Sequence, residues 1–474
     1  MRPTSTNASE SGPGQAGSGG ARRDDAVRGG RGAAPRKPAD SRATSTRGYG
    51  FHAAAAVVVA NMIGTGVFTS LGFQLETIQS TFPLLLLWVV GGVAAFCGAV
   101  TYAELGAALR RSGGEYTFLG RIYHPAAGFV SGWISATVGF AAPTALAAIT
   151  FGAYLASVFP ALSPTWLAAG LVAAAAWVHS ATYGASSFFQ RSFTTVKVIL
   201  IAAFCAAALA MVDAPEPVAL LPAAGDAELV FGGAFAVSLI YVSYAYTGWN
   251  AATYVTGELE NPGRTLPRVL AGGTLLVMVL YLALNYTFLR VAPMSELEGR
   301  LEVGHIAAQH IFGPLGADIM GVTLAVLLVS TVSAMVLAGP RVLHVIGEDH
   351  HAFRWLAKTS RAGMPKVAIL TQAALALFFI FSASFEAILV FSGFTLGLNS
   401  LLAVAGIFVL RIREPELERP YRAWGYPVTS LVYLALTSWT LAYILLDRPA
   451  QGLMGLGLIV AGLVFYRLAG RGTA

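Results

Sequence analysis

The chain has 474 residues, of which 56% are hydrophobic and 11% charged, with a formal net charge of +6 and a mean hydropathy of +0.66. Soluble domains carry about 25% charged residues, so a chain this apolar would expose aggregating surface in water. The positive charge lies in short connections between apolar blocks, which argues against a nucleic-acid-binding role. The two cysteines, Cys97 and Cys205, sit inside such blocks, which leaves no disulfide framework or zinc spacing.

Residues 1–47 are rich in Gly, Ser, Ala, Pro and Arg and read as a disordered basic tail. Arg22-Arg23 is not followed by a short apolar region with a cleavage site, so no removed signal peptide is expected. The tail either meets an anionic leaflet or stays solvated. Residues 48–468 read as one membrane domain with twelve apolar spans: 50–72, 82–109, 126–157, 163–182, 190–212, 228–256, 268–291, 313–346, 366–382, 384–410, 427–446 and 450–468. Blocks of about 18 or more apolar residues predict membrane helices, because lipid offers the backbone no hydrogen bonds. Residues 469–474 form a short tail. Connections after even-numbered spans hold many cations, including Arg110, Arg111, Arg264, Arg341, Arg411, Arg419 and Arg422; the others hold only Arg290, Arg300 and Arg448. Cations concentrate on the cytoplasmic side, so both termini are expected there. Arg far outnumbers Lys, and Ala and Gly abound, which suggests a GC-rich bacterial genome and thus the inner membrane.

In span one, Ile63-Gly64-Thr65-Gly66-Val67-Phe68 puts two glycines around a threonine at mid-depth. Glycines weaken a helix. They either permit close helix packing or let the helix unwind and offer its backbone to a ligand. In span six, Tyr244-Ala245-Tyr246-Thr247-Gly248-Trp249-Asn250 gathers aromatic and polar groups around one glycine. Interrupted spans at matching positions of two halves point to a transporter site. These two lie five spans apart, as an inverted repeat of five helices requires.

Four stretches carry a family resemblance: IGTGVF in span one, TYAELGAALRRSGGEY where span two ends and the next connection begins, YTGWN of span six with the GELENPGRTLP that follows it, and LAGPR in span eight, with RPYRAWGYP before span eleven as a weaker companion. The chain resembles the amino acid–polyamine–organocation permeases, and within them the L-type amino-acid transporter branch. The resemblance implies an all-α membrane fold of twelve helices, with a leucine-transporter-type 5+5 inverted repeat, broken helices one and six, and two extra helices. It implies a sodium-independent secondary transporter of amino acids, with no enzyme chemistry and no cofactor. The substrate carboxylate would meet N–H groups at Gly64, Thr65 and Gly66. Its ammonium would meet carbonyls of Ile63, Tyr244, Ala245 and Thr247. Tyr244 would cover the substrate, and Trp249 and Asn250 would shape the pocket. Neither core motif contains an acidic or basic residue, which favours a neutral side chain over a cationic amino acid or polyamine.

Lys197 lies inside span five, where an ammonium is costly unless paired. It either snorkels to the interface or, as the resemblance implies, replaces a sodium ion between Gly64 of span one and a hydroxyl of span eight. Ser330, Thr331 and Ser333 are the candidates for that hydroxyl. Glu104, near the end of span two, is either an inner gate or proton-responsive group, or a structural partner of a loop arginine such as Arg110 or Arg111. His179 reads as a satisfied buried histidine and Glu386 as an interfacial residue. His344, Asp349, His350 and His351 resemble a metal cluster by type but read as solvated surface, so no metal is expected. Some animal members of the resembled branch join a single-span glycoprotein through a cysteine in the loop after span three. Here that loop, roughly 158–163, has none, so no disulfide-linked heavy-chain partner is expected. A membrane enzyme would need clustered ionisable groups at depth, and Lys197, Glu104 and His179 lie on different spans. A receptor built on the same fold differs from a carrier only in flux.

Overall fold

The computed structural model describes residues 50–181, 187–349, 353–359 and 364–468. The two predicted tails lie outside the described residues, as do His350 and His351 and the Asp349 side chain. Among the described residues the chain is helical throughout, with no strand.

The first predicted span is two helices, α1 (Phe51–Met62) and α2 (Gly66–Leu75). The second is α3 (Thr81–Ala108), followed by a short helix α4 (Gly114–Ile122) that no apolar block announced. The third is α5 (Pro125–Ile134), a π-helical turn (Ser135–Gly139) and α6 (Ala141–Val158). Then come α7 (Pro164–Ala181), α8 (Ser187–Met211), α9 (Asp226–Phe231) and α10 (Gly233–Ala245). A 3-10 segment (Ala251–Glu258) follows, then α11 (Pro262–Val291), α12 (Met294–Leu297) and α13 (Val303–Asp349). The chain closes with α14 (Lys366–Ser382), α15 (Phe385–Arg413), α16 (Val428–Asp447) and α17 (Pro449–Leu468).

Nine helical stretches among the described residues are long and apolar enough to cross a membrane. The sixth and ninth predicted spans are the shorter apolar helices α10 and α14, and the fourth is α7, with 18 residues. The eighth begins earlier than its apolar block, because α13 bends at Gly313 (φ 73°), ahead of Pro314, and the residues before the bend form a separate helical arm. Glycine tolerates that left-handed φ and proline removes a donor, so together they kink the rod.

Small residues set the packing. Ala145, Ala147 and Ala148 of α6 are fully buried against Val172 of α7 and Val332 and Val336 of α13. Such side chains let backbones approach where lipid gives no hydrophobic drive. A Cβ built on Gly91 of α3 would lie 2.4 Å from Val242, so α10 seats directly on that glycine. Large apolar side chains also cover the outside: Ile199 is 61% exposed, Val279 64% and Phe378 64%. Around a buried core, such a belt suits a lipid environment. Helices pair across the bundle as α2 with α10, α3 with α11, α6 with α13 and α7 with α14.

Candidate functional site

The glycines of span one do break it. α1 ends at Ile63 (φ −76°, ψ 82°), the Gly64 N–H turns back to the Met62 carbonyl at 2.8 Å, and α2 restarts at Gly66. The last carbonyls of α1 and the first N–H groups of α2 therefore have no partner within their own helices. Span six breaks after Ala245. Gly248 takes φ 102°, and the chain continues as the 3-10 segment rather than an α-helix.

The two breaks touch. A Cβ on Gly66 would lie 2.5 Å from the Ala245 Cα, and one on Gly248 would lie 2.7 Å from the Asn61 carbonyl carbon. Gly64 differs, since its Cβ would meet only the Met62 oxygen at 4.0 Å. Two of these three glycines are therefore required by packing, and the third has room for a Cβ. The Tyr281 hydroxyl of α11 stands between both breaks, 2.5 Å from the Met62 carbonyl and 3.1 Å from that of Ala245.

Lys197 of α8 is 6% exposed. Its Nζ donates to the Ile63 carbonyl at 3.1 Å and to Thr331 Oγ1 of α13 at 2.8 Å. The carbonyl is thus Ile63's, and the hydroxyl among the three candidates is Thr331's. Ser330 Oγ turns to the Leu327 carbonyl at 2.7 Å, and Ser333 bonds His179 Nε2 at 2.8 Å. A cavity of about 10 Å³ separates Lys197 and Gly64 from Phe68, Tyr154 and Leu324, roughly the space of one water.

Several carbonyls named for the substrate ammonium are already engaged. Ile63 accepts from Lys197, Ala245 from Tyr281, and Tyr244 from both the hydroxyl and the N–H of Thr247 at 2.6 and 2.9 Å. The Tyr244 side chain is buried in a cluster with Val138, Ala142 and Phe394. Trp249 packs its ring 4.7 Å from Tyr102 and 6.0 Å from Tyr433.

Glu104 is 1% exposed. Its carboxylate accepts from Arg411 Nε at 2.9 Å, Arg411 Nη2 at 2.7 Å and the Ala423 N–H at 2.5 Å, and Arg419 Nε lies at 3.5 Å. Its partners are therefore distant in sequence. Arg110, offered as a neighbour, pairs instead with Glu418 at 3.3 Å. The knot ties α3 to the end of α15 and to the α15–α16 connection.

The opposite end is closed differently. Phe73 stacks between Tyr241 and Phe385, with centroids 5.8 and 5.6 Å away. The Tyr241 hydroxyl donates to Glu386 at 2.6 Å, and Glu386 pairs with Arg448 at 3.0 Å. Above the stack lies a cavity of about 350 Å³ lined by Glu76, Thr77, Tyr443, Asp447 and Arg448. Partial burial and the carboxylates of Glu386 and Glu298 raise the Glu76 carboxyl above its ordinary range, against the pull of Arg448. His344 pairs with Glu348 at 3.3 Å, and no group of metal-ligating residues is found among the described residues.

Sequence reasoning passed over Glu115 of α4. It is 2% exposed and accepts from the hydroxyls of Tyr102 at 3.0 Å and Tyr254 at 2.6 Å, and from Asn250 Nδ2. The clue was the carboxylate in SGGEY, within a stretch already singled out, facing the asparagine of YTGWN.

The comparisons with known proteins fit this geometry. Residues 49–461 match a family model described as amino acid permease. The b(0,+)-type amino acid transporter 1 of Homo sapiens is 28% identical over 87% of this chain and 85% of its own length. The large neutral amino acids transporter small subunit 2 of Mus musculus is 28% identical over 88% of this chain and 80% of its own. A chain of apolar helices with two touching helix breaks, matched over nearly its whole described length, thus belongs to the amino acid permease family, whose members carry substrates rather than transform them.

Proposed function

We propose that this permease moves neutral L-amino acids across the cell's inner membrane by alternating access, without sodium, with both termini cytoplasmic. The observation that carries the reading is Lys197, whose ammonium joins the Ile63 carbonyl at the break of span one to Thr331 of α13. A half-helix C-terminus attracts a cation. Here the cation is tethered to the chain, so none has to be recruited with each substrate. The N–H groups that open α2 suit a carboxylate, which would sit beside Gly64. The pairing of α2 with α10, α3 with α11, α6 with α13 and α7 with α14 supports a twelve-helix inverted repeat, because each pair joins spans five apart. The name of one relative specifies large neutral amino acids, which agrees with core motifs free of acidic and basic residues. A cationic amino acid or polyamine would call for a free carboxylate at the breaks, and Glu115 is committed to three donors. The α6–α7 connection has no cysteine, so no disulfide-linked heavy chain is proposed.

The test is uptake of labelled amino acids into liposomes holding the purified protein, with choline in place of sodium. Uptake of a neutral amino acid that is unchanged by the swap is the expected result; loss of most uptake would overturn the sodium-independent reading. Stimulation by internal amino acid marks exchange, and stimulation by an inward proton gradient marks proton coupling.

A further inference from the structure

We propose that Glu115 is the positioning residue that holds the inner segment of span six in place, and so sets how readily that end of the transporter opens. The inference rests on the transport reading above and adds the contact that governs one limb of the cycle.

Beyond Gly248, span six does not resume as an α-helix, so the segment lacks the full backbone ladder that would stiffen it. Val255 departs from helical geometry within it (φ −120°, ψ 20°). Something else must hold it, and Glu115 does so from outside. Two of its three donors, Asn250 and Tyr254, belong to the loosened segment, and the third, Tyr102, belongs to α3. Glu115 itself starts α4, whose helix packs on α5 and α15. One carboxylate therefore gathers span two, the connection after it and the unwound part of span six.

A local glycine lets α4 come this close. Gly114 takes φ 53°, and a Cβ there would lie 2.9 Å from the Tyr254 ring. The SGG turn thus seats α4 directly against the segment that it restrains. Among the described residues the hydrogen-bond partners of Glu115 are phenols and an amide, not a cation. A carboxylate so held is stable only while its donors stay in place. If the inner segment swings away, two of the three donors leave at once, and water must replace them. Closure is therefore favoured until water enters, and the strength of this contact weights the balance between closed and open.

The test reads the position of the segment without relying on transport. Thr256, 1% exposed, lies in the segment and outside the contact, so Thr256→Cys is placed in a background carrying Cys97→Ala and Cys205→Ala. Its labelling by a membrane-impermeant maleimide is followed with Glu115 intact and with Glu115→Gln. Glutamine keeps the size but turns an amide donor towards the Asn250 amide and the two phenols. The expected result is labelling at least 10-fold faster in Glu115→Gln, with a smaller rise in Tyr254→Phe. The double variant should be no faster than Glu115→Gln, since both changes strike one network. In liposomes, substrate affinity should stay within about 2-fold of the parent while the exchange rate changes by 10-fold or more, and Glu115→Asp should restore part of it. Unchanged labelling overturns the proposal, as does a fall in flux that merely tracks the amount of folded protein. If Glu115→Gln does not fold, Tyr254→Phe alone decides by the same readouts. Parent protein that is labelled as described yet carries no amino acid overturns the transport reading and leaves the latch standing.

Discussion

Three residues near the breaks separate what the backbone does from what side chains do. Gly64 has room for a Cβ, so Gly64→Leu is expected to abolish substrate binding while the protein still folds and inserts. Equilibrium binding of labelled amino acid, beside a size-exclusion profile, checks this, and unchanged affinity would refute the site. Lys197→Ala removes the tie between span one and α13 but leaves the N–H groups of α2 intact. Hydrogen bonds to charged groups contribute about 1.5–3 kcal/mol, so losing one in a single state of the cycle should slow net flux by roughly 10- to 100-fold. Affinity should change far less. Near-normal flux would make Lys197 a packing residue only. Glu104 stands in contrast, because its carboxylate is buried under two guanidinium groups. Glu104→Ala would leave Arg411 and Arg419 facing no anion, and breaking such a pair costs about 3–5 kcal/mol. A sharply lower melting temperature in detergent is expected, before any question of transport arises.

At the scale of elements, the breaks were legible and their surroundings were not. Glycine, threonine and aromatic residues at bilayer depth disclose a weakened helix because propensity is local. The crossing of the two broken spans is not local. Gly66 and Gly248 are required because Ala245 and Asn61 press against them, which no reading of either span alone reveals. Gly248→Ala meets both a forbidding φ of 102° and a backbone contact. It is expected to reduce folded yield much more than Gly64→Ala, measured by the recovery of monodisperse protein from membranes. The same limit explains the partners of Glu104. Arg411 and Arg419 are some three hundred residues away, so charge spacing pointed to Arg110 and Arg111 instead. Helix α4 escaped because a nine-residue segment with a charged first turn carries no membrane-length apolar signal. Span eight was legible only from Gly313 onward, since hydropathy marks what lies in lipid and not the arm before the bend. Lys197 was conspicuous by its cost, while the choice of Thr331 over Ser330 and Ser333 depended on helix rotation.

For the molecule as a whole, apolar length suffices to read a multi-helix membrane protein, the paired helix breaks point to a carrier, and family membership follows from similarity over nearly the entire described chain. What neither discloses is that its two ends are fastened with different materials. At one end the Glu104 carboxylate is screened from water, its side chain 2% exposed, between Arg419 at 7% and Arg411 at 24%. At the other, three stacked rings are backed by Glu386 and Arg448, whose side chains are 23% and 33% exposed. Dissolved ions weaken exposed charge pairs and barely reach buried ones, with a Debye length of about 8 Å at physiological salt. Raising salt on the Arg448 side of oriented liposomes should therefore speed substrate release there, and the same salt on the Glu104 side should change little. Equal responses on both sides would remove this distinction. The carrier would then behave as a valve with one salt-tunable lip, where salinity sets how fast substrate crosses it while the substrate gradients alone set the net direction.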